Sequence, residues 1–338
     1  MGQITGGTAA CAWTLTRAFP EAAHMVLFRG SISAETRQAF TGCTTCSLAE
    51  LSQSDRAPAG FLRRFQPDLI VLHNTPRGHS PLEKLQRSRL HPRPHVVQYL
   101  HSVITPAEAD QTVCCSAWLA ARCRQPGDRV LLQGVPRPPV PAEKDSCRRS
   151  SSSWTPREMV VGRLCTPTAR KWPGELIEFY SRLAAGAPRV RWEFVGCPQE
   201  LQRSLRLACR ERARFLPASP AARSHLWRWQ AMLYHHPTLT ESFGRTVAEA
   251  MRCGCIPLVD HRGGFREQIA AGTGFLCRKL DSFAAALDAV QSRTTQARLS
   301  RSAQQHADAR FSIAAFRRRL LALLQSRTGT EKPTTVSD

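Results

Sequence analysis

Lysine is scarce in this chain. Only Lys84, Lys144, Lys171, Lys279 and Lys332 occur in 338 residues, so the net charge of +21 is carried by arginine, with 47 basic residues against 26 acidic. Scarce lysine beside plentiful arginine, alanine and proline is the imprint of a GC-rich genome, and composition accounts for most of the charge. What remains is a surface that attracts anions, among them nucleotide sugars, anionic lipids and nucleic acids. No basic patch interleaved with aromatics and no nucleic-acid recognition motif is present, so a nucleic-acid partner is not expected. Long apolar runs are also missing. None approaches the ~18 residues of a membrane-spanning helix, and at Met1 no basic stretch precedes an apolar core, so no export signal is expected. Cysteine is not scarce, at 13, but its pairing is. Cys43-Thr-Thr-Cys46 has no second pair at zinc spacing, which leaves no expected metal site. Cys165, Cys253 and Cys277 lie in apolar runs and read as buried thiols in a reducing cytoplasm.

The length is enough for two domains of ordinary size. Apolar runs at His24–Phe28, Leu69–Leu72, Val96–Leu100, Gln111–Ser116 and Arg129–Gly134 read as strands, and Cys11–Phe19, Phe61–Phe65 and 117–123 as helices. Strands alternating with helices predict a doubly wound parallel sheet, with ligands at the carboxyl ends of its strands. His73 and His101 fall at two such ends. Prolines 136, 138, 139 and 141 and the run Cys147-Arg-Arg-Ser-Ser-Ser-Ser153 mark an interdomain linker. A second set of strands follows, from Met159–Leu164 through Val190–Val195 and Met232–His235.

The most informative stretch runs from Pro237 to Val259 and reads as loop, helix, tight turn and strand. Thr240 or Ser242 is placed to cap the helix, Gly254 to end it in the left-handed region, and Pro257 to sit near the start of the next strand. Glu241 and Glu249 frame the helix start. With the first in the loop and the second on the helix they lie about 12 Å apart, at about 1.5 Å per residue, the span from sugar to ribose in a nucleotide sugar. The N–H groups of Ser242, Phe243 and Gly244 are expected at a helix N-terminus, which carries partial positive charge and suits phosphate.

Pro237, Glu241, Phe243, Gly244, Glu249-Ala-Met251, Gly254 and Pro257 resemble the donor-binding signature of the retaining glycosyltransferases of family 4, with Thr238 where the family has serine. Further matches are Gly162-Arg163-Leu164 with Lys171, the turn Gly263-Gly264-x-x-Glu267 and Gly274-Phe-Leu276; Trp172 departs from the family's glycine after the lysine. The resemblance implies a GT-B fold: two Rossmann-like parallel-sheet domains facing across a cleft. It divides the chain into an acceptor-side domain at 1–146, a linker at 147–157, a donor domain at 158–308, a helix at 309–327 crossing back and a disordered tail at 328–338. The helix stripe Ile313, Phe316, Leu320, Leu323 and Leu324 agrees with that crossing.

The resemblance further implies a hexosyltransferase that moves sugar from a UDP- or GDP-linked donor to a glycan or lipid-linked acceptor with retention. Arg163 and Lys171 would clamp the pyrophosphate, Glu241 would hold sugar hydroxyls, Glu249 the ribose, and Gly6-Gly7 a phosphate-facing loop. His101 would stand near acceptor and sugar, and the backbone of Arg214–Pro217 would grip the base. No metal or cofactor is implied, because cations and a helix end neutralise the leaving phosphate. The expected location is cytoplasmic, with possible peripheral contact at the inner membrane face and a role in cell-envelope polysaccharide. The alternatives are a GT-B epimerase or phosphorylase, and a non-catalytic binder of nucleic acid or membrane. Only Met1–Ile4 precede the Gly-Gly loop, too few for a strand of about 5–6 residues, so the natural chain is expected to begin upstream.

Overall fold

The computed structural model describes residues 6–48, 58–79, 93–141 and 158–325. The expected short first strand at Met1–Ile4, the linker at 147–157 and the tail from 328 lie outside the described residues. Two units divide the chain: residues 1–115, 120–134 and 310–338 form the first, and 116–119 with 135–309 the second.

The first unit holds α1 (Gly7–Ala18), β1 (Met25–Phe28), α2 (Ala34–Ala39), β2 (Thr44–Ser47), α3 (Pro58–Phe65), β3 (Leu69–His73), β4 (His95–Leu100) and β5 (Gln111–Cys114), followed by α4 (Ala117–Arg122). β1 pairs with β2, and β3, β4 and β5 form a second sheet in that order, all parallel. β4 is its centre: Val96, Val97, Tyr99 and Leu100 are buried, the near-continuous apolar run of a strand covered on both faces. The strand expected at Arg129–Gly134 is not one. Val130 makes a single bridge to Cys114, and the chain then leaves the sheet edge, where Tyr99 donates its hydroxyl to the Leu131 carbonyl at 2.6 Å. β5 likewise ends at Cys114, short of the expected Ser116.

The second unit holds β6 (Met159–Leu164), α5 (Leu176–Gly186), β7 (Val190–Val195), α6 (Gln199–Ala208), β8 (Ala213–Leu216), β9 (Ala231–Tyr234), α7 (Arg245–Arg252), β10 (Ile256–Asp260), α8 (Phe265–Gln268), β11 (Phe275–Cys277), α9 (Leu280–Gln291) and α10 (Arg293–Phe311). Its six strands are all parallel, in the order β11-β10-β9-β6-β7-β8. The chain thus runs outward from β6 to one edge, returns, and runs outward from β9 to the other. β6 and β9 flank the point where the winding reverses, and the crevice beyond their carboxyl ends is where such sheets bind ligands.

The last described element is α11 (Ile313–Gln325), within the first unit. Phe316 stacks on Tyr99 at 6.4 Å between ring centres, and it leaves Gly134 no room: a Cβ there would stand 2.7 Å from the Phe316 Cβ. Arg317 reaches Glu21 at 2.6 Å and Arg319 the Leu132 carbonyl at 3.2 Å. Cys165 and Cys277 are buried as expected, but Cys253 is only half-buried at the end of α7. Desolvation pushes the Cys253 and Cys277 thiols up to about 12, so they remain protonated.

Candidate functional site

Arg163 is the penultimate residue of β6, and the structure gives it a different task from the one the motif implies. Its guanidinium is completely buried, lying over the rings of Trp172 at 5.0 Å and Tyr234 at 4.8 Å. One terminal nitrogen donates to the His235 carbonyl at 2.7 Å and the other to the Lys171 carbonyl at 2.9 Å. A cation spent in this way braces the two loops that leave β6 and β9 rather than facing solvent. Trp172, the departure from the motif, fills the space below: it is 2% exposed, and its indole N–H donates to the Thr166 carbonyl at 3.1 Å.

That brace delivers Lys171, on the single turn Ala169–Lys171, to Glu241 in the loop after β9. The ammonium pairs with Glu241 Oε1, and the Tyr234 hydroxyl donates to the same oxygen at 2.5 Å. The lysine side chain is 15% exposed and the glutamate 20%, so the pair is reachable yet largely desolvated. Burial alone would raise the Glu241 carboxyl; the Lys171 charge and the hydrogen bonds from Lys171 and Tyr234 outweigh it and hold the group below its ordinary range. Tyr234, pushed well above the usual phenol range by burial, stays protonated as the donor.

Neither Thr240 nor Ser242 caps the helix that follows. The N-cap of α7 is Gly244, at φ 91°, with no side-chain cap, and the helix starts at Arg245, one residue beyond the N–H groups of 242–244. The cause is the turn at Gly263-Gly264, which clasps this loop from below. The Gly264 N–H donates to the Glu241 carbonyl at 2.9 Å, and a Cβ on Gly263 or Gly264 would stand 2.4 Å from the Glu241 oxygen or 2.3 Å from that of Ser242. Phe265 fits its ring against Gly244, where a Cβ would come within 2.3 Å. Phe243 is buried at 3% exposure, and Ser242 is half-buried. Two turns of backbone therefore position Glu241.

Glu249 is on α7 but is not an open acceptor. It is 1% exposed, and its Oε2 accepts from Arg223 Nε at 2.9 Å, with Arg245 NH2 3.9 Å from Oε1. Arg223 belongs to the 3-10 turn Pro220–Trp227, and the Glu249 charge holds its guanidinium above the ordinary value. Sequence reasoning missed Arg223 and Tyr234, and saw Trp172 only as a departure from the motif. In a chain this rich in arginine one more gives no signal, and Tyr234 reads as a strand residue. Beyond the carboxyl ends of β7 and β8 lies a cavity of about 410 Å³, lined by Pro167, Cys197, Gln202, Phe215, Leu216 and Pro217. That volume falls within the usual range for a small-ligand site.

In the first unit His101, just past β4, is hydrogen-bonded through both ring nitrogens. Nε2 lies 3.1 Å from His73 Nδ1, and the Gln133 amide lies 3.0 Å from Nδ1. The Asn74 side-chain carbonyl accepts the His101 and Ser102 N–H groups at 3.0 Å each, fixing the turn. Desolvation holds His73 down to about 4, so it is a neutral partner at physiological pH. Gly6 is the N-cap of α1 and Gly7 its first residue, with no side-chain cap. Gly7 is exposed, with open space where a Cβ would be. Among the described residues, no group of three or more His, Cys, Asp or Glu is arranged to hold a metal ion.

The structure of Anabaena HepE with UDP and glucose superimposes with a TM-score of 0.73 at 18% identity, over 96% of this chain and 97% of that one. A glycosyltransferase from Rickettsia africae gives 0.74 at 12% identity, over 97% of each chain. The sucrose-phosphate synthase of Thermosynechococcus elongatus gives 0.69 at 17%, over 96% and 94%. The fold is thus that of the GT-B glycosyltransferases. Residues 155–292, which contain Arg163, Lys171, Arg223, Glu241 and Glu249, match the family of glycosyl transferases group 1. None of the curated proteins matches the chain.

Proposed function

We propose that this protein is a retaining glycosyltransferase of family 4 type, moving a hexose-type sugar from a UDP- or GDP-linked donor to a glycan or lipid-linked acceptor. The observation that carries the reading is the Lys171–Glu241 pair: a cation and an anion held together at the switch point of the sheet, inside the region that matches group 1 glycosyltransferases. A diphosphate brings oxygens that Lys171 can take in place of Glu241, and the released carboxylate accepts the hydroxyls of the sugar. The Gly244 end of α7 adds backbone N–H groups and partial positive charge for the same phosphates.

As the glycosidic bond breaks, negative charge grows on the leaving diphosphate, and Lys171 stabilises it there. The acceptor hydroxyl attacks from the same face and gives its proton to that phosphate, which accounts for retention without a separate base. Glu249 lies beyond for the ribose, with Arg223 already turned towards it, and the 410 Å³ cavity near Phe215 and Leu216 takes the base. Arg163 acts through the loops it braces. Gly6 and Gly7 supply a loop for the donor phosphates, and His101 serves the acceptor and the sugar. With Lys171 and the helix end neutralising the diphosphate, the reading requires no metal and no cofactor. It places the enzyme in the cytoplasm, with the basic surface (net charge +21) meeting anionic lipid or a lipid-linked acceptor.

Titration calorimetry against a panel of nucleotide sugars tests the reading, and UDP-glucose comes first because Anabaena HepE has been solved with it. Binding of one donor, with sugar transfer only when acceptor is present, supports it; donor rearrangement without acceptor indicates an epimerase. Lys171→Ala is expected to lower turnover at saturating donor about 100-fold, roughly 3 kcal/mol of barrier, as for a lost oxyanion donor. Unchanged turnover would remove Lys171 from the reaction.

A further inference from the structure

Immediately before Pro237 stand two histidines, and the second is buried at 4% exposure. His236 Nδ1 receives two backbone N–H groups of its own loop, from Leu239 at 2.7 Å and Thr238 at 3.2 Å. A ring nitrogen that accepts N–H groups carries no proton, so the hydrogen is on Nε2. Nε2 lies 2.8 Å from the carbonyl of Arg170, to which it donates. Arg170 is the neighbour of Lys171, and Leu239 is two residues before Glu241. One imidazole therefore touches both loops that supply the ion pair. The backbone end is fixed as well, because the His236 N–H donates to Asp260 Oδ2 at 2.8 Å.

We propose that His236 is a positioning residue: it ties the turn at 169–171 to the segment 237–241 and so sets the distance between Lys171 and Glu241. That this distance serves a nucleotide-sugar donor rests on the function proposed above; the tie itself does not. Arg163 makes a second, parallel tie through the carbonyls of Lys171 and His235, so removing His236 loosens the two loops without unfolding β6 or β9. The imidazole is suited to the task only while neutral. Burial lowers its proton affinity, the Arg170 carbonyl raises it, and the charges of Arg163, Arg262 and Lys171 lower it further, with a net fall. Asp260, the other charged group against this segment, is occupied by Arg262 at 3.0 Å and His235 at 2.7 Å.

The two ends of the imidazole can be tested separately, because glutamine reproduces the reach of Nε2 and asparagine that of Nδ1. Hydrogen–deuterium exchange is followed in peptides covering 167–173 and 236–244, beside wild-type protein. His236→Ala is expected to speed exchange in both, His236→Gln mainly in 236–244, and His236→Asn mainly in 167–173, with melting temperatures close to one another. Unchanged exchange at 167–173 in His236→Ala, or the same pattern in all three variants, would overturn the tie. In the transfer assay His236→Ala should lower turnover about tenfold, with partial recovery in the asparagine or glutamine variant. Faster exchange in both peptides with full turnover would overturn the positioning role. A wild-type protein that turns over no donor defeats the functional reading alone, since exchange still decides the tie.

Discussion

At the residue scale, the carboxylates and cations of the site are mutually paired. Glu249 and Arg223 are the sharpest case, since the glutamate is 1% exposed. Breaking one side of a buried ion pair strands a charge, at about 3–5 kcal/mol. Because the Arg223 side chain keeps 26% of its exposure and can turn outward, Glu249→Gln is expected to cost about 3 kcal/mol, the low end of that range. Urea denaturation at pH 7 measures it. Arg223→Gln combined with Glu249→Gln should recover a large part of the loss, because the stranded charge is gone. Equal stability of wild type and Glu249→Gln would show that the pair is not held in the folded protein. The same substitution reports on ribose binding only if stability and donor affinity are read separately.

At the element scale, the last helix is part of the first unit's core. Phe316 and Leu320 are buried, and Phe316 fills the space that Gly134 leaves open above Thr14. Emptying that volume should cost about 3–5 kcal/mol, so Phe316→Ala is expected to lower the melting temperature strongly. Arg318→Ala, on the exposed side of the same helix, should stay within about 0.5 kcal/mol. Thermal unfolding followed by circular dichroism compares the two; similar melting for both would place α11 outside the cooperative core. The helix was legible because its apolar residues recur at spacings of three and four. The arginines 317–319 beside it lie mostly off that stripe, yet burial takes the Arg319 guanidinium down to about 10 and its hydrogen bond goes to the Leu132 carbonyl.

For the whole molecule, the charge of +21 acts against the folded state through self-repulsion. Salt screens it, with a Debye length falling to about 8 Å at physiological ionic strength. Raising sodium chloride from low to physiological concentration is therefore expected to stabilise the protein by about 1 kcal/mol, or roughly 2–4 °C in melting temperature. A melting temperature that falls with salt would mean that the ion pairs of the folded protein outweigh the repulsion.

The parallel α/β class follows from the sequence, because strands covered on both faces must be apolar along their length, as Val96–Leu100 and Ile256–Val259 are. So does the Gly-Gly turn at 263–264, whose two glycines stand in the motif ahead of Glu267. The positions of Lys171 and Glu241, each within its own motif, are likewise written along the chain. Which group each charge meets is not. Lys171 and Glu241 are 70 residues apart, Arg163 and His235 72, Arg223 and Glu249 26. Partners at such separations are chosen by the order of strands in the sheet, and no local pattern in the chain encodes that order. For the same reason the helix cap moved to Gly244: Thr240 and Ser242 had the right chemistry, but the Phe265 ring and the Gly264 N–H had already fixed the loop before it reached the helix.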